Sequence, residues 1–176
     1  MYRKQIAMRP ASTEMMIDRR TFAGVVAMAG AALLAWPQIG EAATGRFAVT
    51  HTPDEWKRIL GPVRYLILRE AMTERPFTSP LLNEHRKGTF VCAGCAQGLF
   101  SSSTKFESRT GWPSFWKALP GAVIERRDRS LLVERTEILC SRCGGHLGHV
   151  FNDGPEPTGL RYCMNGLALE FRPDPS

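Results

Sequence analysis

Apolar and polar positions divide the chain near residue 43. Residues 21–40 hold no charge, and beyond them short apolar runs alternate with turn-forming residues. Thr52-Pro53-Asp54-Glu55 reads as a helix start: Thr52 can cap, Pro53 suits the first helical position, and Glu55 closes a capping box. Trp56, Ile59 and Leu60 then form a short apolar face, which Gly61-Pro62 breaks. Residues 63–72 suit a second helix. Residues 73–88, rich in Pro, Ser, Asn and charge, predict a long irregular arm. From Gly88 the pattern predicts strands over 89–92, 99–100, 122–125, 130–139, 149–151 and 160–171, the last broken near Gly166. Asp128, among Arg126, Arg127 and Arg129, reads as a solvated hairpin turn, with an anion site as the alternative. The expected fold is mostly β, over residues 44–176, with short helices at its N-terminal edge.

The segment before it reads as an address. Arg19-Arg20 precedes the charge-free stretch, and Glu41-Ala42-Ala43 follows it. Basic, apolar and small residues in that order resemble a secretory signal peptide, and the arginine pair resembles a twin-arginine export signal. Cleavage near Ala42 or Ala43 is expected. The alternative is an uncleaved membrane helix, which Gly24, Gly30 and Pro37 weaken. Both readings put residues 44–176 outside the cytoplasm, in the periplasm, because the positive flank stays inside.

Composition and charge narrow the classes. Apolar residues make up 43% and charged residues 23%, which excludes disorder, a coiled coil and a multi-span membrane protein. Lys and Arg number 23 against 17 Asp and Glu, a net charge of +6. That modest excess does not itself point to nucleic acid.

Five cysteines are too few for a disulfide scaffold, and the number is odd. Cys92-Ala93-Gly94-Cys95 and Cys140-Ser141-Arg142-Cys143 are two knuckles whose four thiolates suit a closed tetrahedral zinc site. Gly94 and Gly144-Gly145 supply turn flexibility. Disulfides, or one redox pair, are the alternatives. Four thiolates leave no open coordination position, so the site reads as structural.

Cys163 remains. Strand alternation puts Arg161, Cys163 and Asn165 on one face, with Tyr162 and Met164 on the other. An arginine beside a thiol favours the nucleophilic thiolate, and Asn165 can donate a hydrogen bond to it. An inert buried cysteine is the alternative. His146 and His149 stand three residues apart, with Asp153 four further on as a carboxylate able to orient a histidine. They also read as histidines that support the zinc ligands from behind or are merely hydrogen-bonded near the metal. Gly111-Trp112-Pro113-Ser114-Phe115-Trp116 is a constrained aromatic turn whose ordinary role is core packing.

Together these fragments resemble the B-type methionine-R-sulfoxide reductases. The matching residues run from Thr73-Glu74-Arg75-Pro76-Phe77 through both knuckles, Thr104-Lys105-Phe106-Glu107-Ser108 and Gly111-Trp112-Pro113-Ser114-Phe115, to the segments His146–Pro155 and Arg161–Asn165, and the resemblance covers about residues 51–172. The resemblance implies two small twisted antiparallel sheets with one structural zinc. It implies Cys163 as nucleophile, Trp112 and Phe151 against the substrate, and His146, His149, Asp153, Arg161 and Asn165 at matching active-site positions. It implies oxidised proteins as substrates and an external thiol, thioredoxin-like or other, as reductant. A monomer without a nucleic-acid partner is expected. Many members carry a resolving cysteine just before Gly-Trp-Pro, where this chain has Thr110. A one-cysteine cycle follows as the expectation. A zinc-ribbon binding module is the rival, but it leaves Cys163 and the histidines idle. A zinc hydrolase would need an open metal position.

Overall fold

The computed structural model describes residues 47–129 and 133–175. The leader read over 1–43 lies outside them, as do residues 130–132 at the head of the strand expected over 130–139.

Helix α1 spans Pro53–Glu70, with the capping box in place at Thr52 and Glu55. Gly61, at φ 69° and ψ 172°, interrupts it just before Pro62, so the expected break is present as a kink. The first segment buries Trp56 and Leu60, whereas Ile59, expected on the same face, is 52% exposed. The second segment buries Ile67 and Leu68. Ala71 ends the helix in the left-handed conformation.

Among the described residues nine strands follow, all paired antiparallel. β1 (Gly88–Cys92) lies between β2 (Gly98–Ser101) and β9 (Leu169–Pro173) in one sheet. The other sheet runs β3 (Lys105–Phe106), β4 (Ser114–Phe115), β8 (Arg161–Met164), β7 (His146–Phe151), β6 (Arg135–Cys140), β5 (Val123–Asp128). The two-residue strands β3 and β4 were not expected, because two residues show no periodicity. The arm over 73–88 is irregular except for a 3-10 turn at Pro80–Asn83, capped by Ser79.

The core lies between the sheets. Phe115 stacks on Phe100 at 4.4 Å and meets Phe90 at 4.9 Å, while Tyr162 closes on Phe100 at 5.7 Å. Leu99, Ile138, Leu147 and Met164 fill the space around them, fully buried. Each such side chain contributes about 1.5–3 kcal/mol by leaving water.

Period-2 alternation gives the larger sheet a second, polar face. Register aligns Ser114, Cys163, His149, Glu137 and Arg126 in one row across β4, β8, β7, β6 and β5. Two residues along, Arg161 pairs with Phe151, and Arg135 with Asp128. Residues two apart on a strand share a face, so these rows form one surface. Gly148 lets β7 and β8 approach there, since a Cβ would lie 2.2 Å from the Cys163 carbonyl oxygen.

Candidate active site

The two knuckles form matching turns at the ends of β1 and β6, one in each sheet. In each, the amide after the second cysteine donates to the first cysteine's carbonyl: Ala96 to Cys92 at 2.8 Å and Gly144 to Cys140 at 2.9 Å. The residue at positive φ is Ala96 at 60° in one and Gly144 at 69° in the other. In the first knuckle that role falls to Ala96, rather than to Gly94 as expected.

The four sulfurs lie within 4.8 Å of one another, with Cys92 to Cys143 at 3.7 Å and Cys95 to Cys140 at 3.5 Å. Zinc–sulfur bonds of about 2.3 Å in a tetrahedron set neighbouring sulfurs about 3.8 Å apart, so the donor set fits a thiophilic dication. All five cysteines are free thiols, so neither knuckle is a disulfide. The crowded thiols divide: neighbouring Cys140 drives Cys92 and Cys143 up, while a hydrogen bond with Cys140 pulls Cys95 down and hydrogen bonds with Cys143 and Cys92 pull Cys140 down. A dication lets all four ionise together.

Cys163 stands outside this cluster, half-buried on the polar face. It shares a cleft of about 120 Å³ with Trp112, His149, Phe151, Arg135 and Asn165. Trp112 lies in the cleft wall rather than the core, and Phe115 of the same turn takes the core position. The indole Nε1 of Trp112 donates to the Glu74 carbonyl at 3.2 Å. Glu74 also anchors the irregular arm, since its carboxylate accepts from the amides of Gly166 and Leu167. Burial pushes that carboxyl up, against the two amides.

The histidines are held by Asp128, expected in a solvated turn, and by Glu137. His149 Nε2 lies 2.9 Å from Asp128 Oδ2, which also accepts from Arg135 at 2.7 Å. His146 Nδ1 lies 2.7 Å from Glu137 Oε1, and Arg126 donates to the other Glu137 oxygen at 2.7 Å. Burial pushes His146 down, with Glu137 opposing. Burial also pushes Glu137 up, but Arg126 and His146 outweigh it and leave it low.

Three expectations change. Asp128 is not a solvated turn residue: it ends strand β5 and holds His149 and Arg135. Asp153 orients no histidine. Its carboxylate accepts from Nε and one terminal nitrogen of Arg161, each at 2.8 Å, while the two imidazoles pair with Glu137 and Asp128. Asn165 is 3% exposed, donates to the Leu147 carbonyl and accepts from the Glu74 amide, so its polar atoms serve the arm and β7 rather than the thiol.

Arg161 stays beside Cys163. Its guanidinium is raised first by Asp153, with burial opposing and the Cys163 sulfur adding, and it lies 4.4 Å over the Phe151 ring. Asp128, Arg135 and Glu137 carried a readable signal: each falls two residues from another polar residue on a strand, on the face of Cys163.

The family model described as the SelR domain matches residues 60–173. The chain belongs to the SelR, or MsrB, family. It is 54% identical over 127 residues to the peptide methionine sulfoxide reductase MsrB of Leptospira interrogans, covering 72% of this chain and 97% of that one. It is 53% identical over 126 residues to the MsrB of Bradyrhizobium diazoefficiens, covering 71% and 91%. The MsrB of Methanosarcina barkeri is 51% identical, covering 71% and 89%.

Proposed function

We propose that this chain reduces the R epimer of methionine sulfoxide, mainly in oxidised proteins, to methionine. The observation that carries the reading is Cys163 facing His149 across β7 and β8, in a cleft walled by Trp112 and separate from the four-sulfur cluster.

The Cys163 thiolate attacks the sulfoxide sulfur while its oxygen takes a proton. His149 is the donor in this scheme: it lines the cleft, and Asp128 fixes its Nε2, leaving Nδ1 for the substrate oxygen. His146 sits behind it, buried against Glu137. Trp112 and Phe151 give the methyl an apolar wall opposite the polar groups, and that geometry selects one handedness at sulfur. Arg161 lies where it balances the thiolate charge, held by Asp153.

One oxygen passes from substrate to Cys163, leaving methionine and a sulfenic acid. Thr110 occupies the resolving position, so an external thiol attacks the sulfenic sulfur and releases water, and a second thiol frees Cys163 as a donor disulfide forms. The reductant is thioredoxin-like or another thiol.

Zinc at Cys92, Cys95, Cys140 and Cys143 is structural, tying the two sheets. The leader over 1–43 directs folded, zinc-loaded protein to the periplasm, where it works as a monomer without nucleic acid. The test supplies each sulfoxide epimer separately with dithiothreitol. Loss of the R epimer alone, abolished in Cys163→Ser with zinc retained, is expected. Turnover by Cys163→Ser, or preference for the S epimer, would overturn the reading.

A further inference from the structure

Thr110 lacks the sulfur that would recycle the enzyme, yet its hydroxyl lies 3.7 Å from Cys163 Sγ. Behind it, Ser108 lies 2.9 Å from Thr110 and 2.7 Å from Ser114, and Ser114 donates to the Trp112 carbonyl at 3.2 Å. We propose that Thr110, Ser108 and Ser114 form a hydroxyl chain that reverses its hydrogen bonds with the charge on Cys163 and so steadies the thiolate for attack. This rests on Cys163 being the attacking group.

Each hydroxyl has one proton to give and two lone pairs to receive with. When Cys163 is a thiol, its proton points to Thr110, Thr110 donates to Ser108, Ser108 to Ser114, and Ser114 to the Trp112 carbonyl. Every link then holds one proton. When Cys163 is a thiolate, all three hydroxyls turn: Ser114 donates to Ser108, Ser108 to Thr110, and Thr110 to the sulfur. Only the bond to the Trp112 carbonyl is given up, and three aligned dipoles then point at the negative charge. A lone hydroxyl would respond less, because aligned hydrogen bonds polarise one another.

The fold holds the chain in place. Ser114 is 1% exposed and sits opposite Cys163 in the β4–β8 register. A buried hydroxyl needs a partner, and Ser108 supplies one in either direction. The Gly111 turn brings Thr110 back over β8: Gly111 has φ 94°, and its carbonyl accepts from the Phe77 amide at 2.8 Å. Thr110 thus touches the reacting atom, while Ser108 and Ser114 are positioning residues behind it.

The test alkylates Cys163 with iodoacetamide over a range of pH in the full-length, zinc-loaded protein. Mass spectrometry follows the peptide that carries Cys163. The parent is compared with Thr110→Val and Thr110→Ser. A charge-assisted hydrogen bond removed by Thr110→Val is expected to slow alkylation near neutral pH on the order of tenfold. The two proteins should converge at alkaline pH, where the thiol is ionised in both, and Thr110→Ser should restore the parent rate. Equal neutral-pH rates in parent and Thr110→Val overturn the proposal. So does a loss that Thr110→Ser fails to rescue, or one that persists at alkaline pH, since either would reflect packing. Alkylation is independent of turnover, so these outcomes leave the sulfoxide-reductase reading standing, while activity in Cys163→Ser removes that reading by itself.

Discussion

Two imidazoles three positions apart on β7 are held by different acids in different surroundings. His149 lines the cleft and leans on Asp128, which Arg135 also holds. His146 is buried, with Glu137 and Arg126 behind it. The first arrangement suits a proton donor, and the second suits a neutral ring that supports the strand. General acid catalysis is worth about 10²–10⁴-fold. Asp128→Asn keeps a hydrogen-bonding partner for His149 but removes the charge, so kcat is expected to fall about ten- to hundredfold, within that range. An unchanged kcat would separate Asp128 from the chemistry. His146 also makes stability depend on pH. Its folded form resists the proton that the unfolded ring takes up near pH 6.5, so stability falls as pH drops below about 6.5. Glu74, raised by burial, acts with the opposite sign once pH rises above the unfolded carboxyl value of about 4.3, which is why a comparison with a variant is needed. Urea midpoints at about pH 7.5 and 5.5 should drop more in the parent than in His146→Gln. At this scale Cys163, Trp112 and His149 stood out as candidates in three separate segments, and the fold gathers them in one cleft; Asp128 and Glu137 fit the strand alternation, but they lie 21 and 9 residues along the chain from the histidines they hold. Nearness along the chain pointed to Asp153, and strand register delivered Asp128 and Glu137.

At the scale of elements, alternation along β8 separated Tyr162 and Met164 from Arg161 and Cys163, and the structure puts the first pair in the core. The capping box and the Gly61 kink were equally readable, because each depends on a few neighbouring residues. Strands β3 and β4 were not, since two residues each are held by their neighbours in the sheet rather than by any pattern of their own. The knuckles belong to this scale as well: each is a turn closed by one backbone hydrogen bond, and together they bring four sulfurs to one point. A structural zinc contributes on the order of 10 kcal/mol in small zinc domains, comparable with the ~5–15 kcal/mol that holds a whole domain together. Cys140→Ser is therefore expected to lose its metal and its cooperative thermal transition. Metal analysis and calorimetry check this, and a sharp transition in metal-free protein would contradict it.

In the whole molecule, the sulfur cluster joins the end of β1 in one sheet to the end of β6 in the other, while α1 packs beside it through Trp56 and Leu68. The cleft that holds Cys163 lies on the polar face of the larger sheet, outside the four-sulfur cluster. If the leader carries a folded, metallated domain, Arg19→Lys combined with Arg20→Lys should leave full-length precursor in the cytoplasm, as fractionation and N-terminal sequencing would show. Unimpaired export would remove the twin-arginine reading. In the proposed reduction Cys163 alone takes the oxygen. The direct test is one turnover of a protein-bound R sulfoxide, run without added thiol and followed by mass spectrometry of the intact chain and its peptides. One methionine is expected per chain, with one oxygen on Cys163 and all four knuckle cysteines unaltered. An internal disulfide, or methionine formed with Cys163 unmodified, would contradict it.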